Sequence, residues 1–261
     1  MKIIEVVRAL ERFAPLPLQE SFDNAGLQVG LTEAEVSGAL LCLDVTGSIV
    51  DEAVEKGCNL IVSHHPLIFR PLKRVVGADD VQRAVAKAIK HDITILSMHT
   101  NMDNAQGGVN FKMAEKMQLT GVKFFTEKQV DGITCGSGVM GELPGAMAAD
   151  DFIMMLKREF DVECVQCNQL LRRPIRMVAI CGGAGSFLLP EAIAAGADAF
   201  VTGEMHYHDY FAHEQEIQIA VIGHYQSEQY TYEIFKSIIE EQCEGVRCVV
   251  TSQNTNPIIY L

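Results

Sequence analysis

Positive charge is scarce in this chain. Its 261 residues carry 21 Lys and Arg against 34 Asp and Glu, a formal net charge of −13. Grip on a phosphate backbone depends on Lys and Arg, so extended nucleic-acid binding is not expected. A local positive site created by bound metal ions remains compatible with the balance. No apolar run is long enough to span a bilayer, and Met1-Lys2-Ile3-Ile4-Glu5-Val6 lacks the charged-then-apolar plan of a signal peptide. A cytoplasmic, reduced location with no membrane partner is the expectation. Cysteine supplies no framework: eight are scattered, and Cys42, Cys181 and Cys248 sit inside apolar runs, which reads as packing. Cys164-x-x-Cys167 is the one close pair and lacks a second ligand pair, so neither zinc nor redox chemistry is read from it. A complete phosphate-loop motif is also missing. Gly182-Gly183-Ala184-Gly185 reads first as a tight turn and second as a phosphate cradle.

What is present is an ordinary globular composition, 48% hydrophobic and 21% charged, long enough for one large or two modest domains. Apolar positions at helical spacing run from Ile3 to Leu10 and stop at Pro15. A turn-rich loop, Ser21 to Gly30, enters a short strand, with Asp23 and Asn24 as ordinary turn formers. Strands are expected at 39–43, 60–62, 93–96, 178–181, 198–202 and 220–222, and helices at 48–56, 80–91, 148–160 and 190–195. This alternation predicts an α/β fold with a mostly parallel sheet, the stretch 121–142 being antiparallel or irregular. Gly57 and Gly196, which stop two of the helices, stand 139 positions apart, and Ser63 and Thr202 share that offset. Two related α/β halves follow, 1–122 and 123–261.

The chemistry gathers after strands. Ser63-His64-His65-Pro66-Leu67-Ile68-Phe69 follows the apolar run Leu60-Ile61-Val62. Pro66 biases His65 toward an extended conformation, and extended neighbours point to opposite sides, which suits two ions better than one. His99 with Asp103, and His224 with Glu228, repeat a His-x-x-x-Asp/Glu pattern at an offset of 125. The nearby glycines suggest a loop for the first pair, and a helix starting near Ser227 is expected for the second. All six groups stand just beyond the carboxyl ends of expected strands, where ligand sites form in open α/β sheets. Imidazole with carboxylate suits Zn, Fe, Mn or Co. Six groups exceed one catalytic zinc and suit two divalent ions about 3.5–4 Å apart sharing a carboxylate. His206 and His208 in the Glu204–Asp209 run are further candidates or surface groups.

The motifs together are similar to a known family. SHHPLIF at 63–69, HTNMDNAQGGVN at 99–110, TGEMHYHD at 202–209 and GHYQSEQ at 223–229 resemble the dinuclear-metal GTP cyclohydrolase 1 type 2 homologues, or NIF-three-like proteins. SFDNAGLQVG at 21–30, LDVT at 43–46, CGGAG at 181–185 and NTNPIIYL at 254–261 fit as well. The resemblance implies a NIF-three-like fold of two α/β halves with a metal pair in the interdomain cleft. It implies as ligands His64, His65, Asp103, His224 and Glu228, with Glu228 bridging, and His99 beside the metals as a catalytic proton carrier. It also implies a homo-oligomeric, typically hexameric ring. Asn104-Ala105-Gln106 replaces the Ala-Pro of many relatives, and 261 residues leave no room for the domain that some insert between the halves. The function expected is a metal-dependent hydrolase acting on a small anionic, nucleotide-like substrate, with a phosphoesterase as the nearest other enzyme. A non-catalytic oligomeric adaptor or metal-handling protein is the alternative from another class.

Overall fold

Helix α1 (Ile3–Phe13) opens the computed structural model, which describes residues 1–260. Ile3, Val6, Val7 and Leu10 fall on one face and are buried, and the Glu5 carboxylate accepts from the Lys2 backbone N–H at 2.7 Å, tying the first turn. Beyond the loop that carries Asp23 come strand β1 (Gly26–Val29), strand β2 (Ala39–Cys42), helix α2 (Gly47–Glu55) and strand β3 (Leu60–Ser63). Helix α3 (Asp80–Lys90), strand β4 (Thr94–Ser97) and the short helix α4 (Thr100–Asn104) follow. Thr46 caps α2 by accepting the Ile49 N–H, and Asp79 caps α3 by accepting that of Gln82. Every residue of β2, β3 and β4 is buried, the pattern of parallel strands covered on both faces. Leu40, Ile49, Ile61, Val85 and Ile95 form the core between these strands and their helices.

Helix α5 (Val109–Lys116) begins a second unit. Strand β5 (Thr120–Phe124), the hairpin of β6 (Lys128–Val130) with β7 (Ile133–Cys135), and β8 (Val139–Met147) are antiparallel, as the irregular middle of the sequence predicts. After helix α6 (Ala149–Glu159) and the short β9 (Gln166–Cys167), the strand–helix rhythm returns: β10 (Ile175–Cys181), α7 (Leu189–Ala194), β11 (Ala199–Thr202), β12 (Gln218–Val221) and helix α8 (His224–Glu228). The sheet runs β5-β8-β10-β11-β12-β9, parallel across β10, β11 and β12 and antiparallel outside them. Phe152, Phe160, Val178 and Val201 pack on one side, Ala179, Phe200 and Ile219 on the other.

The chain then returns to the first unit. Helix α9 (Thr231–Gln242) packs on α1, and strand β13 (Cys248–Val250) pairs in parallel with β2, giving the first sheet the order β1-β4-β3-β2-β13. The units are therefore Met1–Ala105 with Thr231–Pro257, and Gln106–Tyr230 with the residues from Ile258. The first unit is discontinuous because α9 and β13 complete its sheet. The fold is mixed α/β with mixed, mostly parallel sheets. The internal repeat is visible in register: Cys42 pairs with Ser63 and Cys181 with Thr202, each across parallel strands and 139 positions apart.

Candidate metal centre

Three histidines meet at the carboxyl ends of β3 and β4. His64 is fully buried, and its Nδ1–H donates to the Met98 carbonyl at 2.9 Å. A carbonyl can only accept, so this bond fixes the tautomer and leaves the Nε2 lone pair as the donor available to a metal. His65 donates from Nδ1 to Asp44 Oδ1 at 2.7 Å, and Asp44 Oδ2 accepts from the Thr255 hydroxyl at 2.6 Å. His99 donates from Nδ1 to Asp23 Oδ1 at 2.7 Å; Asp23 Oδ2 accepts from the Thr100 N–H at 3.0 Å and from the Thr100 hydroxyl. The ring centroids lie 5.0 to 5.4 Å apart, and one nitrogen of each ring falls within 4.8 Å of one nitrogen of the others.

This convergence corrects the expectation that His64 and His65 diverge. The chain bends after Ser63: the N–H groups of His64 and His65 both donate to the Leu43 carbonyl, and the Ser63 hydroxyl donates to the His65 carbonyl. Neighbours at a bend need not point apart as they do along a strand. A second correction concerns His99 and Asp103. They stand on the first turn of α4, not in a loop, because Gly107 and Gly108 follow the helix and Asp23 binds the Thr100 N–H at its start. On that turn Asp103 Oδ1 comes within 3.6 Å of His64 Nε2.

In the second unit, α8 begins at His224, three residues before the expected start at Ser227, where Gly223 turns the chain with φ +98°. His224 and Glu228 share one helical face, with Nε2 to Oε2 at 3.0 Å, and Nδ1 lies 3.0 Å from Glu204 Oε1. Glu228 is buried, packed on the glycine turn. A Cβ at Gly183, where φ is +57°, would stand 2.3 Å from Glu228 Oε1. The N–H groups of Gly182, Gly183 and Gly185 are occupied by Asn110, Ser227 and Thr202 side chains, so this is a packing turn and not a phosphate cradle. His206 and His208 are exposed, and Cys164 and Cys167 are exposed free thiols.

Every candidate imidazole thus has an oxygen at Nδ1: Met98 O, Asp44, Asp23 and Glu204. Burial alone would raise the Asp23 carboxyl, but hydrogen bonds from His99 and Thr100 outweigh it and hold the group down to about 2. Asp44 is lowered in the same sense, its burial outweighed by His65 and Thr255. Asp23 reads from the sequence as a turn former and Asp44 carries no site reading, while Glu204 stands there only in a run of further possible ligands. Their signal was present, in the SFDNAGLQVG, LDVT and TGEMHYHD stretches, but only the fold shows what each one orients. Imidazoles oriented through Nδ1, with the Asp103 and Glu228 carboxylates beside them, fit a divalent metal of the Zn, Fe, Mn or Co type.

Residues 1–257 match the family model described as Duf34/NIF3 (NGG1p interacting factor 3). A Clostridium perfringens protein named GTP cyclohydrolase 1 type 2 homolog is 31% identical over 265 residues, covering 100% of both chains. A Streptococcus pneumoniae protein of the same name is 33% identical over 208 residues, covering 78% of this chain and 77% of the relative. Among solved structures, a hypothetical protein of Staphylococcus aureus superposes with a TM-score of 0.91 at 29% identity, covering 100% of this chain and 99% of that one.

Proposed function

This chain belongs to the Duf34/NIF3 family, and on that premise we propose that it is a dinuclear metal protein and a metal-dependent hydrolase of small anionic substrates. The observation that carries the reading is the shared orientation of the rings: His64, His65 and His99 each donate from Nδ1 to an oxygen, and His224 stands between two carboxylates, Glu204 at Nδ1 and Glu228 at Nε2. Core histidines without a ligand have no need for one shared orientation. His64, His65 and Asp103 from one unit and His224 and Glu228 from the other would hold the ions, with Glu228 shared. Bound there, the ions would supply Lewis-acid polarisation and a water of lowered pKa.

The remaining chemistry belongs to the chain. His99, held at Nδ1 by the ionised Asp23, would accept and return a proton at Nε2. Two divalent ions would be the positive charges that an anion such as a nucleotide meets at this site. The name of the curated relatives points to GTP as the first compound to try, although activity belongs to a site and not to a family. Assembly as a homo-oligomeric ring, typically a hexamer, is part of the same proposal.

The test is turnover on a panel of nucleotides and phosphoesters with protein stripped of metal and reloaded. Activity that rises with metal occupancy and falls at least tenfold in His99→Asn at unchanged metal content supports the reading. Metal-loaded protein with no turnover across the panel removes the hydrolase and leaves the adaptor or metal-handling role.

A further inference from the structure

The segment that leaves the His64–His65 bend is locally basic. Residues 67–78 contain Arg70, Lys73 and Arg74 and no acidic residue, in a protein with formal net charge −13. All three cations are exposed. Among the described residues none of them makes an ion pair or hydrogen bond, whereas the nearby Arg83 is paired with Asp80 and Lys87 with Asp51. Three adjacent, unneutralised cations repel one another, and an acidic protein has carboxylates to spare for them, so their isolation asks for a ligand.

The segment is also built. Its entry is tied where Asn24 Nδ2 donates to the Ile68 carbonyl at 2.6 Å and the Ile68 N–H donates to Gln28 Oε1 at 3.1 Å. Its exit is tied where the N–H groups of Val76 and Ala78 donate to Oε1 of the buried Gln82. Leu72 and Val81 pack on the core between these anchors. The loop so held borders a cavity of about 690 Å³ lined by the three cations, by apolar Phe69, Leu72 and Val76, and by Asp79, whose carboxylate is taken up by the Gln82 N–H and side-chain amide, within the size range of small-molecule sites. Phe69 connects this cavity to the histidines, since its ring stands edge-on to that of His99 at 6.1 Å between centroids.

We propose that this cavity is a phosphate-recognition site for a phosphorylated organic molecule of nucleotide size. Arg70, Lys73 and Arg74 receive its phosphates, and Phe69, Leu72 and Val76 take up its apolar or aromatic part. The proposal rests on the hydrolase reading only in directing the bound molecule toward His99; binding itself requires no metal. Guanidinium groups take phosphate oxygens in pairs, and the partly exposed Phe69 offers aromatic surface to the organic part of the ligand.

The experiment uses full-length, chelator-treated protein and a GTP carrying a fluorescent group on its ribose, titrated at low and high salt. Saturable binding is expected, weakened by salt and displaced by unlabelled GTP. In Arg70→Gln/Lys73→Gln/Arg74→Gln the affinity falls about tenfold or more, the loss of three charge-assisted contacts at an exposed site. Phe69→Ala weakens GTP more than it weakens inorganic tripolyphosphate, the probe without a base. Metal content on reloading stays at the wild-type level in both variants, which separates failure of this site from failure of the metal centre. No binding to the wild-type protein, or equal binding to the triple variant, overturns the proposal. So does cation-dependent retention of an RNA oligonucleotide or anionic vesicles without retention of free nucleotide.

Discussion

Gly183→Ala tests how closely the glycine turn and the Glu228 carboxylate are matched. Gly183 has φ +57°, a region that costs a residue with a Cβ roughly 1–2 kcal/mol. The new methyl would lie 2.3 Å from Glu228 Oε1 and 3.3 Å from its Cδ, against ordinary contact from 3.4 Å. The carboxylate would therefore shift by about 1 Å, well beyond the ~0.2 Å tolerance of metal–ligand distances. Gly196→Ala is the control: φ there is +79°, yet nothing stands within 4 Å of the added atom. Both variants should lose the backbone term in urea unfolding, and Gly183→Ala should lose about 1–3 kcal/mol more for the forced contact. Metal affinity, measured by competition with a chelator, should fall about 10- to 100-fold in Gly183→Ala, and Gly196→Ala should match the wild type. Equal stability losses with full metal affinity in both would refute the assigned role of the turn.

Asp23→Asn should remove a stabilising carboxylate of depressed pKa. A folded pKa of about 2 against an ordinary value near 3.9 corresponds to about 2–3 kcal/mol, present above pH ~4 and lost as pH falls toward ~2. In metal-free protein the stability gap between wild type and variant should close across that window, and a gap of constant size would contradict the assignment. Glu52→Ala should cost about 1–3 kcal/mol of stability without changing metal content, because the buried carboxylate accepts from Thr251, Ser252 and Gln253 and pins the returning segment. Loss of metal in that variant, read by elemental analysis, would show the segment to be part of the centre.

Local pattern carried most of the architecture. Apolar spacing points to α1, α3 and α6, and the apolar runs at 39–43, 60–62, 93–96 and 198–202 point to the inner strands, observed at 39–42, 60–63, 94–97 and 199–202. The 139-residue offset anticipated the paired registers of Cys42 with Ser63 and Cys181 with Thr202. What failed depended on atoms far away in the chain. The bend that turns His64 and His65 together is made by the Leu43 carbonyl, and the turn holding His99 and Asp103 is capped by Asp23, 77 positions from Thr100. Neither partner announces itself in a window around the histidines. The return of 231–257 to the first sheet was likewise illegible, since periodicity identifies a helix and a strand but not the sheet they join. Glycine at 183 reads as a turn former from sequence, and only the contact with Glu228 explains why a side chain is excluded there.

Metal content per chain, measured by elemental mass spectrometry on untagged protein purified without chelator or added metal, tests the central claim most directly. The account predicts about two divalent ions per chain, as a pair sharing one carboxylate requires, and substantially less in His65→Ala and Glu228→Gln. Reproducible absence of metal in the wild type, persisting after reconstitution with Zn, Fe, Mn and Co, would contradict it.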